Sequence, residues 1–218
     1  MCLALSGCGE QAQGQVAAAT APQQEVSDNA SVTVAPVQVI PPNDAPEKPA
    51  DTPQMIERVD ISFDYARQST MASNQLAVWI EDADGQMVKT LLVTNFTAVR
   101  RGYRSRDMSL TEWVKTADPE SMGDAEIDAI SAATPSTGRL VYSWDMTDAN
   151  GERVPDGIYT IRVEGTLFWE SSVLYLAELD TANAMGGELS VMMVRSEPDN
   201  TDNEAMIGNV RISVTIRE

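Results

Sequence analysis

The sequence predicts an all-β fold, an antiparallel β-sandwich that carries one long, partly helical insertion. Three observations lead there. The stretch "RVDISFDYA" puts Val59, Ile61, Phe63 and Tyr65 on one face and Arg58, Asp60, Ser62 and Asp64 on the other. Period two with one polar face is the pattern of a half-buried antiparallel strand. The C-terminal stretch repeats it, with Val210, Ile212, Val214 and Ile216 alternating with Arg211, Ser213, Thr215 and Arg217. Between them, short apolar runs are punctuated by Gly, Asn, Asp and Pro, the spacing expected of a sandwich of about seven or eight strands.

In chain order, the further strands are expected at 75–81, 86–94, 139–145, 157–168, 172–180 and 188–195. Two hairpins among them look alike: "WIEDADGQMV" from Trp79 and "WDMTDANGERV" from Trp144. Each places Asp, two residues and Gly at its tip, where tight hairpins need positive φ. Pro155-Asp156-Gly157 marks another turn, after which Tyr159, Ile161 and Val163 alternate inward. Asp82, Asp84, Asp145, Asp148 and Asn150 do not meet the EF-hand spacing, and turn chemistry accounts for them. The acidic run 196–204 reads as a solvated loop.

Composition excludes several functions. The 218 residues carry 33 acids against 15 bases, a net charge of −18. Such a surface repels phosphate backbones, so no nucleic-acid partner is expected. Histidine is absent, which removes Ser-His-Asp and Cys-His catalysis and the commonest zinc sites. The two cysteines, Cys2 and Cys8, both lie at the extreme N-terminus, so no thiolate metal site is expected in the folded part. A carboxylate-only glycosidase is left open, because paired acids are recognised only in space. The expectation is a protein that is not an enzyme and holds no metal.

The chain opens "MCLALSGCGE". Leu5-Ser6-Gly7-Cys8 resembles the lipobox of bacterial lipoproteins, in which the cysteine is acylated. That resemblance implies a lipid on Cys8, a membrane partner through that anchor, and, with Gly9 following, the outer membrane. Residues 1–8 read as a signal remnant and 9–55 as a linker. Seven of the 11 prolines fall in the first 53 residues, and residues 1–62 hold no aromatic side chain. Such a segment cannot bury enough apolar surface to offset its chain entropy and reads as a disordered tether spanning roughly 40 Å. The folded domain is expected at 56–218.

The hairpin stretches "LAVWIEDADGQMVKTL" and "YSWDMTDANGERVPDGIYTIRV" resemble the Ig-like domain of the flagellar hook-capping protein FlgD. More closely, 56–218 resembles a family of uncharacterised periplasmic proteins, a domain of unknown function. The resemblance implies an Ig-like, FlgD-like sandwich and is silent on activity.

The second hairpin is delayed by an insertion, 94–138. Long connections inside compact domains are uncommon and often functional. Arg100, Arg101, Arg104 and Arg106 surround Tyr103 there, a local inversion of charge. Arginine suits carboxylate and phosphate, either on a partner or among the protein's own acids. Ser109 is expected to cap a short helix, with Glu112 completing a capping box and Trp113 docking the helix or stacking. A second short helix is expected from Asp124, with Ile127 and Ile130 facing the core and Pro135 taking Thr134 out of the helix. Arg100, Tyr103, Arg106 and Trp113 are the candidate partner-binding residues.

Residues 128–134, "DAISAAT", resemble the flavinylation motif recognised by ApbE-type flavin transferases. Asp128, Ser131, Ala133 and Thr134 match it, and Ala132 stands where glycine is usual. The resemblance implies FMN joined through its phosphate to the Thr134 hydroxyl, with Arg101 and Arg104 screening the phosphate and Tyr103 or Trp113 packing on the ring. Two functions follow as expectations. One is a lipid-anchored, non-catalytic binding or scaffolding module with an envelope protein partner and no cofactor. The alternative is a periplasmic electron carrier with covalent FMN and a redox partner.

Overall fold

The computed structural model describes residues 55–68, 74–166, 172–196 and 206–217. The lipobox, the tether and most of the acidic run 196–204 lie outside the described residues.

Two sheets form the sandwich. The first has the order β5-β1-β10-β8, with β1 at Ile56–Tyr65, β5 at Gly138–Trp144, β8 at Gly187–Glu188 and β10 at Ile207–Ile216. Its pairings are antiparallel. The second has the order β4-β3-β2-β6-β7-β9. Its strands are β2 at Gln75–Asp82, β3 at Met87–Thr94, β4 at Ser131–Ala132, β6 at Ile158–Thr166, β7 at Ser172–Asp180 and β9 at Met192–Arg195. All of its pairs are antiparallel except β3 with β4, which run parallel.

The alternation sets the core. Val59, Ile61, Phe63 and Tyr65 of β1 and Ile212 and Val214 of β10 are buried against Leu76, Val78, Ile80, Ile161 and Val163 of the facing sheet. On the outside of the first sheet the polar residues pair instead. Ser143 donates to Asp60, Arg139 reaches Ser62 and Asp64, and Asn209 donates to Asp64. Asn209 sits at φ 50, where Ser62–Asp64 of β1 faces one residue too many on β10. This bulge flips the alternation, so Ile207 and Ile212 both point inward although five residues apart.

The stretch expected as one strand at 188–195 is two. Glu188 pairs with β10 in one sheet, and four residues on, Met192 pairs with β7 in the other. Leu189 and Val191 pack on the core between them, so the segment crosses from sheet to sheet and closes one side of the sandwich.

The two hairpin tips are built alike. Asp82 Oδ1 accepts the Asp84 and Gln86 N–H groups, and Asp148 Oδ1 accepts those of Asn150 and Glu152. Gly85 and Gly151 take φ 74 and φ 81, a region that glycine enters without steric cost. The turn acids therefore serve the backbone. Behind the second tip, Trp144 is fully buried, meets Tyr159 edge-on at 5.3 Å and donates its indole N–H to the Thr147 carbonyl.

Trp144→Ala is expected to cost about 3–5 kcal/mol of unfolding free energy, and Trp144→Phe about 1–2 kcal/mol, measured by urea denaturation.

Candidate functional site

The strand β2 is buried on both faces. Its inward residues enter the core, while Ala77 and Trp79 point outward into a second apolar cluster with Val93, Ala98, Leu110, Trp113, Ala117 and Ile127. That cluster is made by the insertion, which folds over the second sheet as a third layer. It contains a 3-10 turn at Gly102–Arg104 and two helices, α1 at Thr111–Ala117 and α2 at Asp124–Ile130. Helices of two turns are unstable alone, so their order comes from what they pack against.

Buried polar groups fix the layer as firmly as the apolar ones. Gln75 Oε1 accepts the hydroxyls of Thr94 and Thr97, and Thr97 Oγ1 lies 2.7 Å from Ser109 Oγ. Ser109 is thus committed to this buried chain and does not cap α1. The N-cap position is Leu110, at φ 53, with no side-chain cap. The orphan N–H groups of the first turn go to the sheet instead. Leu110 N donates to Thr166 Oγ1, and Glu112 N and Trp113 N donate to the two oxygens of Glu164 at 3.2 and 2.9 Å. A strand carboxylate does the work of an N-cap. Glu164 is fully buried, and burial pushes its carboxyl up to about 7 against the pull of those N–H groups.

Glu81 makes the second anchor. One oxygen accepts Trp79 Nε1 at 2.7 Å and the Thr116 hydroxyl at 2.9 Å. The other lies 2.8 Å from Arg162 Nε. The Arg162 N–H does not point along that line, so the contact is an ion pair without a directed hydrogen bond. Trp113 is fully buried and donates Nε1 to Thr90 Oγ1. It is a packing residue, with no surface left for a partner or a flavin ring.

Two of the four arginines serve one of the protein's own acids, Glu120. Arg104 pairs with Glu120 through both Nε and Nη2, Tyr103 donates its hydroxyl to Glu120, and Arg101 reaches Glu120 at 3.7 Å and the Pro119 carbonyl at 2.9 Å. The Arg104 hydrogen bonds hold Glu120 down to about 2. Arg106 lies over the Phe96 ring at 5.1 Å. Phe96 in turn abuts Gly102, where a Cβ would overlap the ring and lie 2.6 Å from the Phe96 carbonyl oxygen. Arg100 remains on the exposed side of the layer.

Residues 128–134 leave the layer at one edge. Asp128 is exposed at the end of α2, Ser131 and Ala132 form β4 against Val93 and Thr94, and Asn95 N donates to the Ala132 carbonyl. Ala133 is exposed and Thr134 half-buried in the extended stretch that follows. Arg101 and Asp128 line one open depression of about 320 Å³ with Val99, Asp124 and Ile127. Arg104 is already engaged by Glu120, and Trp113 lies beneath the layer.

A family model described as predicted periplasmic protein (DUF2271) matches residues 57–191. The chain belongs to that family. No curated protein matches the chain, and no solved structure does. The DUF2271 match runs from β1 to the residue before β9 and contains the whole insertion, so the helical layer lies within the family's domain. The FlgD resemblance rests on the hairpin residues alone.

Glu81 and Glu164 escape a sequence reading because each occupies an outward position of a strand, where a carboxylate is read as solvated. Glu164 lies directly opposite Ala77. The apolar outward pair Ala77 and Trp79 is the mark that this face is covered.

Glu81→Ala leaves the Trp79 indole, the Thr116 hydroxyl and Arg162 without their acceptor, and is expected to cost about 3–5 kcal/mol in urea denaturation, with Glu81→Gln less damaging.

Proposed function

We propose that this chain is a non-catalytic binding or scaffolding module of the cell envelope, anchored by lipid on Cys8, with the helical layer as the face it presents to an envelope protein. The observation that supports this most is the set of buried polar anchors beneath the layer. Of the insertion only Ala132 packs on the core between the two sheets, yet Glu81, Glu164 and Gln75 are buried beneath the layer. Ordering a long insertion costs chain entropy, and a docking surface is what such ordering supplies. Arg100 and Val99 stand exposed on that layer.

The test is a photo-crosslinking residue placed at Arg100 in the full chain, in cells, with the same residue at Arg211 on the outside of the first sheet as control. A discrete adduct to an envelope protein at Arg100 and none at Arg211 is expected. No adduct at Arg100, or the same products at both sites, would overturn the reading.

A second reading has one observation in its favour, the place of 128–134 at one edge of the layer, with Asp128 and Ala133 exposed. In this reading Thr134 is the FMN acceptor and the module carries electrons to a redox partner. The Thr134 hydroxyl oxygen takes the FMN phosphate, the pyrophosphate bond of a flavin dinucleotide breaks, and AMP leaves with the transferase. Bound flavin supplies the redox chemistry. The chain supplies the attachment point, in the extended stretch that follows β4. Intact mass of the chain made with a flavin transferase checks it: a flavin-sized increment lost in Thr134→Ala is expected. An unmodified mass beside a modified control protein, or an increment retained in Thr134→Ala, contradicts it.

A further inference from the structure

The buried carboxylate beneath α1 does more than stabilise. We propose that Glu164 makes the docking of the helical layer respond to pH, tightening it in acid and loosening it as the pH rises to neutrality.

The geometry places a titratable group at a joint. Glu164 stands on β6 of the sandwich, and its hydrogen-bond partners are the Glu112 and Trp113 N–H groups and the Thr111 hydroxyl, all of α1. The charged groups around it are few. From α1, Glu112 faces it as a like charge. On its own strand, Arg162 lies two residues away and is paired with Glu81 of β2. The residues opposite it in register are Ala77 of β2 and Leu174 of β7, both apolar. Its ionised form is therefore stabilised chiefly by the helix N-terminus, and burial opposes it.

Lifting α1 from the sheet returns Glu164 to water, where a glutamate has its ordinary value of 4.5, whereas docked it titrates at about 7. The docked state binds the proton more tightly. Its contribution is fully present below pH 4.5 and is lost as the pH rises through about 7. Between pH 5 and pH 8, linkage gives a rise in the opening equilibrium on the order of fifty- to a hundredfold. The response belongs to the joint between β6 and α1, whichever partner or group the layer presents.

The experiment is hydrogen exchange by mass spectrometry on the full chain from pH 5 to pH 8, corrected for intrinsic exchange. Peptides from 95–132 are compared with peptides from β1 and β10. The expected result is an opening of the layer that grows with pH on the order of fifty- to a hundredfold, while Glu164→Gln shows no such growth. A flat profile in the natural protein, or the same slope in Glu164→Gln, would overturn the proposal. If Glu164→Gln does not fold, carboxyl carbon NMR on the natural protein decides. A glutamate with its midpoint near 7 supports the joint, and glutamates that all titrate in the ordinary range near 4.3 refute it.

Discussion

A carboxylate from a strand takes the place of a helix cap, and much of the molecule follows from that substitution. Glu164 accepts the first N–H groups of α1, and Glu81 takes the hydroxyl at its far end. A helix of two turns has no independent stability. Its position over β2 and β6 is set by these two side chains and by Trp113 beneath it. Once α1 is fixed, Ala77, Trp79 and Val93 are covered, α2 adds Ile127 to the same cluster, and β4 is delivered to the edge of β3.

Burying charge is costly unless it is paired and hydrogen-bonded. The two acids meet this cost differently. Glu81 has a guanidinium, an indole and a hydroxyl around it. Glu164 has only N–H groups and a hydroxyl of α1, and burial raises its proton affinity against their pull. The same site that orders the layer therefore couples it to protons. Arg101 and Arg104, by contrast, spend their charge at the layer's own edge on Glu120, with Tyr103 in the same knot. Arg100 and Val99 stay exposed on the layer.

The first sheet was legible because β1 and β10 are polar on their outer face. Alternation from Val59 to Tyr65 and from Ile212 to Val214 states which side is core, and the Asp-x-x-Gly tips state where each hairpin turns. The sheet-crossing stretch at 188–195 was not legible, because Leu189 and Val191 keep a strand-like period while the backbone changes partner between them. The layer was legible only in outline. Helices near Ser109 and from Asp124 follow from the residues, yet the cap at Ser109 does not, since a serine bonds equally well to a buried Thr97 that lies far along the chain. Glu81 and Glu164 were invisible for the same reason: their roles depend on what the insertion places above them. The motif at 128–134 was found by resemblance, and its neighbours in space are known only from the fold.

The central claim is that the insertion is a fixed layer held through backbone N–H groups to Glu164. Residue-resolved amide exchange by NMR at a single pH tests it most directly. Glu112 and Trp113 amides exchanging as slowly as those at the interior of β2 and β6 is the predicted result. Exchange of these two amides at the rate of exposed loop amides, while the strands stay protected, would contradict it.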